Sequence, residues 1–219
     1  MSENTKNKAE PLFSYKNKKL ITNPIGKENP ITIQVLGICS VLAVTVQLRP
    51  SLVLAIAVVA VMGISNVVIS LIRNITPPRI RIIVQLTVIA SLVIIVDEVL
   101  KAAMYDVSRQ LAIFVGLIIT NCIIMGRLEG FALYNKPWPS FLDGIGNASG
   151  YGAVLIAVGF IRELFGSGTL MGQQVIPEFL YNIGYVDNGL FILPPMAMIA
   201  VGVMIWVQRT RDPELIDVS

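Results

Sequence analysis

The stretch ITIQVLGICSVLAVTVQL, Ile31 to Leu48, is apolar throughout, yet it is broken in the middle by Gly37, Cys39, Ser40 and Thr45. A second stretch of the same character, LAIFVGLIITNCIIM from Leu111 to Met125, carries Thr120-Asn121-Cys122 and then meets Arg127 and Glu129 before resuming at Phe131. Cys39 and Cys122 are the only two cysteines of the chain. Both segments read as interrupted helices. Interruption at membrane depth is tolerated only where protein or a bound group satisfies the freed backbone N–H and C=O groups.

Around them the chain is apolar. Hydrophobic residues make up 54% of 219 and charged residues 14%, against about 25% in an ordinary soluble chain. The composition therefore indicates a polytopic membrane protein. Leu52 to Ile72 and Ile80 to Leu100 are uninterrupted and close to the ~20 residues that a ~30 Å hydrocarbon core requires. Tyr151 to Phe165 and Leu190 to Val207 suffice if their ends lie near the interface, where Trp206 suits an aromatic belt.

Six segments result, at approximately 31–48, 51–73, 80–101, 110–134 (interrupted), 149–165 and 190–207. They divide into two sets of three, each opening on a cysteine-bearing interrupted segment. Matching interruptions in the two halves are the sequence sign of an inverted repeat with a site near the bilayer midplane. The expected fold is thus all-α and polytopic: six transmembrane helices as two inverted three-helix repeats, the first helix of each interrupted at its cysteine.

Charge sets the expected orientation. With the N-terminus inside, thirteen of the seventeen Lys and Arg residues fall on the cytoplasmic side, which places both termini in the cytoplasm. Residues 1–28 are polar and Lys-rich, are expected to be disordered, and show no cleavable leader. Their lysines suit contact with anionic lipid. Residues 29–211 form the membrane domain and 212–219 a second cytoplasmic tail. Pro137-Trp138-Pro139 and Asp143 to Asn147 are expected in a cytoplasmic loop.

No histidine is present, which excludes His-ligated haem, copper or zinc and any His general base within this chain. Nucleic-acid motifs, phosphate loops and nucleophile–base pairs are absent too. Soft thiolates suit zinc, which has no redox chemistry, or an iron or iron–sulfur centre, which would carry electrons. A lone membrane cysteine is ordinarily a small packing residue. The pairing of Cys39 and Cys122 in equivalent broken segments raises a shared metal site above that reading. Asp97 and Glu98 are acids within an apolar run, but their place beside Lys101 at a helix end favours solvated carboxylates over a cation path. Asn66 reads as an interhelical hydrogen-bonding residue, and Arg162 with Glu163 as an interfacial pair.

The runs Asn29 to Thr45, Ile69 to Asn74, Arg81 to Gln85, Phe114 to Arg127, Pro139 to Asn147 and Arg162 to Gly168 resemble, in order, the membrane D subunits of bacterial sodium-translocating NADH:quinone oxidoreductases, of the same superfamily as the E and A subunits of Rnf electron-transport complexes. The resemblance covers about Asn29 to Arg211. It implies a membrane electron-transfer subunit of the bacterial inner membrane that supplies Cys39 and Cys122, two of four Cys ligands, to an intramembrane 2Fe–2S cluster or single iron. A paralogous six-span E-type subunit would supply the other two. The implied partners also include a quinone- and flavin-binding membrane subunit, an FMN subunit and an NADH-, FAD- and 2Fe–2S-binding subunit. The whole complex would oxidise NADH, reduce ubiquinone and expel sodium, with no flavin, NADH or nucleic acid bound by this chain. The alternatives are the equivalent subunit of an Rnf ferredoxin:NAD⁺ oxidoreductase, against which Ser40 stands where proline is typical, and an inverted-repeat small-solute transporter with structural cysteines.

Overall fold

The computed structural model describes residues 20–25, 29–103, 116–171, 173–174 and 189–211. Helices α1 (Ile38–Val44), α2 (Leu48–Ile72), α3 (Arg81–Ala103), α4 (Cys122–Arg127), α5 (Pro137–Ser167) and α6 (Pro194–Arg211) carry the architecture. A π-helical turn, Leu128–Ala132, continues α4. A two-residue ladder pairs Thr169–Leu170 with Gln173–Gln174 just beyond α5 and, among the described residues, is the one departure from an all-helical fold.

By length and apolar character, three helices among the described residues can cross a membrane: Leu48–Ile72, Arg81–Ala102 and Pro137–Ser167. At ~1.5 Å per residue α2 is about 37 Å long, more than a ~30 Å core demands. Pro50 is harmless there because it falls in the first turn, where its missing N–H would have had no helical partner.

The centre of the molecule is the antiparallel contact of α2 with α5. Apolar helices gain nothing from leaving lipid for one another, so they associate through close van der Waals fit and hydrogen bonds. Small residues permit that approach. A methyl group on Gly144 would lie 2.8 Å from Asn66 Nδ2 and 3.0 Å from the Met62 carbonyl oxygen. One on Gly152 would meet Ala55 Cβ at 3.1 Å, and one on Gly159 would meet Ser51 Oγ at 3.2 Å. Leu54, Val58, Val61 and Met62 of α2 and Leu155 and Val158 of α5 fill the buried seam. Asn66 donates across it to the Ser140 carbonyl at 2.9 Å, in keeping with its reading as an interhelical residue.

Several sequence expectations are corrected. The region from Pro137 to Asn147 is not a loop but the first three turns of α5. Pro137 occupies the helix start, which tolerates it. Gly144 and Gly146 are there for close packing rather than for a turn. Residues 31–37 are not helical, so the expected first span is reduced to the seven-residue α1. The last helix begins at Pro194, a little later than expected, after a 3₁₀ turn at Gly189–Ile192. Within the polar tail, residues 20–25 are described and pack against α5: a methyl on Gly146 would strike the Leu20 carbonyl at 2.5 Å, and one on Gly150 the Pro24 carbonyl at 2.4 Å. The beginning of the interrupted fourth segment lies outside the described residues, as do the two tails at 1–19 and 212–219.

Gly144→Ala is expected to lower stability by about 1–3 kcal/mol, because backbone lines one side of the space and cannot move aside cheaply. Gly202→Ala in α6, which meets nothing within 4 Å, should leave stability unchanged or slightly raised. Thermal unfolding of the detergent-solubilised protein, followed by size-exclusion chromatography, compares the two.

Candidate metal centre

The two cysteines begin two short helices. Cys39 is the second residue of α1, and Gly37 precedes it as N-cap in the left-handed region at φ 82°. Val35 is left-handed as well, at φ 57°, an unusual conformation for a β-branched residue. The backbone thus folds back on itself immediately before the first thiol. That reversal is tied down locally: the Leu36 N–H donates to the Pro30 carbonyl at 2.9 Å, and Asn29 Nδ2 donates to the Gly150 carbonyl of α5 at 3.1 Å.

Cys122 is the first residue of α4. Residues 116–119 are helical, Thr120 turns, and Asn121 takes an extended conformation at φ −67°, ψ 118°. Asn121 then caps the new helix, its Oδ1 accepting from the Ile123 N–H at 3.2 Å. This capping satisfies a donor that the break would otherwise leave orphaned inside the membrane.

Both thiols are free and exposed on the surface of this chain. Their sequence neighbours are the reverse: Ser40 and Val41 beside Cys39, and Asn121 and Ile123 beside Cys122, are buried. Each helix start therefore turns its polar and apolar neighbours inward and its sulfur outward. The two starts are adjacent in space. Asn121 Nδ2 lies 3.5 Å from Ser40 Oγ and 3.4 Å from the Tyr151 hydroxyl, and Ser40 Oγ and that hydroxyl are 2.6 Å apart. Leu36, ahead of Cys39, packs against Gly126 of α4, where a methyl would come within 3.2 Å of it.

As metal donors, the two thiols are soft and stand at helix starts that meet through Ser40 and Asn121, and among the described residues no group of three or more His, Cys, Asp or Glu could hold an ion. Two sulfurs that face outward fit half of a four-thiolate set completed from another chain.

The charged residues lie elsewhere. Lys101 bonds Asp97 at 2.7 Å and Glu98 at 2.9 Å at the end of α3, as expected for acids at a solvated helix end. Arg127 pairs with Asp143, which also accepts from Asn147 at 3.1 Å. Arg81 and Gln85 both bind Glu129, at 2.7 and 2.9 Å, and Arg73 donates to the Asn135 carbonyl. Arg73, Arg81 and Arg127 gather at the end of the bundle where α5 begins, whereas Lys101 lies at the other end of α3.

Arg162 and Glu163 are not the interfacial pair expected of them. Both are buried and each serves a different backbone segment. Arg162 donates to the carbonyls of Phe191 (3.0 Å) and Ile192 (2.6 Å) ahead of α6, and to Thr45 Oγ1 (2.7 Å) after α1. Glu163 accepts from the Leu48 N–H at 2.6 Å and so caps α2, whose own N-cap, Gln47, makes no side-chain bond. A buried charge is tolerated when hydrogen bonds surround it, and helix ends and loops supply orphan groups that make them.

Tyr151 is a further polar residue of the site that the sequence motifs do not single out. In the sequence it opens the expected fifth span, where a tyrosine suits the membrane interface, and only the extension of α5 back to Pro137 puts it in mid-helix.

The chain belongs to the Rnf-Nqr family: the family described as "Rnf-Nqr subunit, membrane protein" matches residues 17–205. It is 54% identical over 200 residues, 91% of this chain and 95% of the relative, to the D subunit of the Na(+)-translocating NADH-quinone reductase of Shewanella sp. (strain ANA-3). The same identity and coverage hold for the proteins of that name from Shewanella baltica (strain OS155) and Shewanella oneidensis (strain MR-1). These relatives are subunits of an oxidoreductase complex, and the sequence resemblance is upheld.

Arg162→Met is expected to be strongly destabilising, since each stranded carbonyl costs about 1–3 kcal/mol. Glu163→Gln should cost less, because an amide oxygen still accepts from the Leu48 N–H. Melting temperatures of the two variants in detergent give the comparison.

Proposed function

We propose that this chain is the electron-carrying D-type membrane subunit of a sodium-translocating NADH:ubiquinone oxidoreductase, and that Cys39 and Cys122 are two of four ligands to an iron–sulfur centre shared with a paralogous partner. The observation that carries the reading is the outward pairing of the thiols. Two cysteines from the two halves of the chain stand at adjacent helix starts, both exposed, with buried polar residues behind them. Packing cysteines turn inward, and these do not. The high identity to reductase subunits over nearly the whole chain supports the same assignment and favours it over a solute transporter.

In this reading Cys39 and Cys122 hold a 2Fe–2S cluster or a single iron as thiolates. When bound, the centre accepts and releases one electron at a time. The chain's own contribution is placement and exclusion. Ile123, Ile124 and Val41 are fully buried beneath the cysteines and keep water from reaching the sulfurs from the core. The exposed apolar surface at the cysteines is closed by the partner, a six-span E-type subunit of opposite orientation, which supplies the other two thiolates. Dry surroundings and soft ligands let a centre of low charge sit at membrane depth, where unpaired thiolates would be costly. With the interrupted first and fourth segments and α6, the three long helices would make two inverted three-helix repeats, the beginning of the fourth segment lying outside the described residues. The cation-rich end that holds Arg73, Arg81 and Arg127 faces the cytoplasm of a bacterial inner membrane.

Cys39→Ala and Cys122→Ala are each expected to remove iron and acid-labile sulfide from the purified complex. They should also abolish NADH-to-quinone electron flow while an artificial acceptor is still reduced by NADH. Full quinone reduction with both cysteines replaced by serine would refute the assignment. Asp97→Asn should leave the sodium dependence of quinone reduction within about twofold of the parent, because Asp97 is occupied by Lys101 at an exposed helix end.

A further inference from the structure

Behind the outward-facing thiols lies a buried polar cluster in a region otherwise built of Val, Ile, Leu and Ala. Tyr151, in the middle of α5, is fully buried, as is Ser40. The hydrogen bonds have one consistent direction. The Tyr151 hydroxyl donates to Ser40 Oγ at 2.6 Å, and Ser40 Oγ donates to the Gly37 carbonyl at 2.8 Å. Asn121 Nδ2 donates to the tyrosine oxygen at 3.4 Å, while its Oδ1 accepts from the Ile123 N–H. Ser40 directly follows Cys39, and Asn121 directly precedes Cys122. The tyrosine ring also seats the backbone turn: a methyl on Gly37 would lie 3.0 Å from Tyr151 Cε2.

We propose that Tyr151 is a positioning residue for the ligand pair, its hydroxyl setting the relative placement of Cys39 and Cys122 by joining the two helix starts through Ser40 and Asn121. The proposal rests on the reading of the two cysteines as joint ligands. Its physical basis is that α1 and α4 have only seven and six residues and do not hold their own register. A third element must supply it. α5 is the long helix packed at the centre of the bundle, and at membrane depth there is no water to take over a lost bond, so one hydroxyl on α5 reinforces the direct contacts of Asn121 with Ser40 and of Leu36 with Gly126.

The placement can be measured without the cluster. In the purified complex, stripped of iron by chelator under reducing conditions, dibromobimane bridges neighbouring thiols, and mass spectrometry identifies the peptide pair joined through Cys39 and Cys122. The parent is expected to give this product. Tyr151→Phe, which keeps the ring, and Ser40→Ala should each lower its yield about fivefold, the equivalent of the ~1 kcal/mol of one buried hydrogen bond. Single-thiol alkylation by N-ethylmaleimide should stay unchanged. The double variant should lose clearly less than the two single losses combined, because the Tyr151–Ser40 bond is common to both.

An undiminished yield in Tyr151→Phe or Ser40→Ala, losses that add in the double variant, or no Cys39–Cys122 product from the parent overturns the proposal. Should Tyr151→Phe not assemble, Ser40→Ala and Asn121→Ala carry the comparison. Iron content of the same complexes before stripping separates the two questions. Iron that persists in Cys39→Ala defeats the ligand assignment whatever the cross-linking shows. Iron lost there, with cross-linking insensitive to Tyr151, defeats only the role of the tyrosine.

Discussion

Everything in this molecule is hung on the close antiparallel contact between α2 and α5. Lipid is as good a solvent for Leu and Val as another helix is, so the contact must come from backbone proximity, and backbone proximity needs residues without side chains. Gly144, Gly152 and Gly159 provide it along one side of α5. Gly146 and Gly150 let the 20–25 segment in close on another side. α5 thereby becomes a rigid post, to which the turn before α1, the starts of α1, α2 and α4 and the loop before α6 are fastened.

The fastenings are polar, which in a membrane is both costly and decisive. Asn29 ties the turn ahead of α1 to Gly150, Tyr151 meets the starts of α1 and α4, and Arg162 and Glu163 bind the loop before α6 and the start of α2. Arg162 and Glu163 satisfy backbone groups freed by breaks in helical structure, and Asn29 does so through its Oδ1, which accepts from the Ile31 N–H. Breaks and buried polar residues are therefore two halves of one arrangement. The breaks are what permit two cysteines to stand at helix starts, and the polar residues are what make the breaks tolerable.

Much of this is readable from composition and pattern, and the reasons differ from residue to residue. The long spans of α2 and α3 are plain because twenty apolar residues in a row have one reading at this hydropathy. The breaks at Cys39 and Cys122 are visible as small and polar residues within apolar runs. Asn66 and the Asp97–Lys101–Glu98 group are placed correctly from position alone. The first three turns of α5 look like loop because Pro and Gly there mark a helix start and close contacts, and a sequence does not show which neighbour demands a glycine. Arg162 and Glu163 look like a pair because adjacent opposite charges suggest one, whereas the groups they serve are distant in the chain.

The sequence by itself determined the membrane class, the lack of any histidine, the small and polar residues around two cysteines in apolar runs, and kinship with the reductase D subunits. These follow from residue type and local order. Only the tertiary structure decided that the two cysteine segments touch, that both thiols face outward, and that Tyr151 stands behind them. At a helix start that follows a non-helical break, no periodicity dictates where a side chain points. Its direction is set by what packs on the other side, and here that is α5.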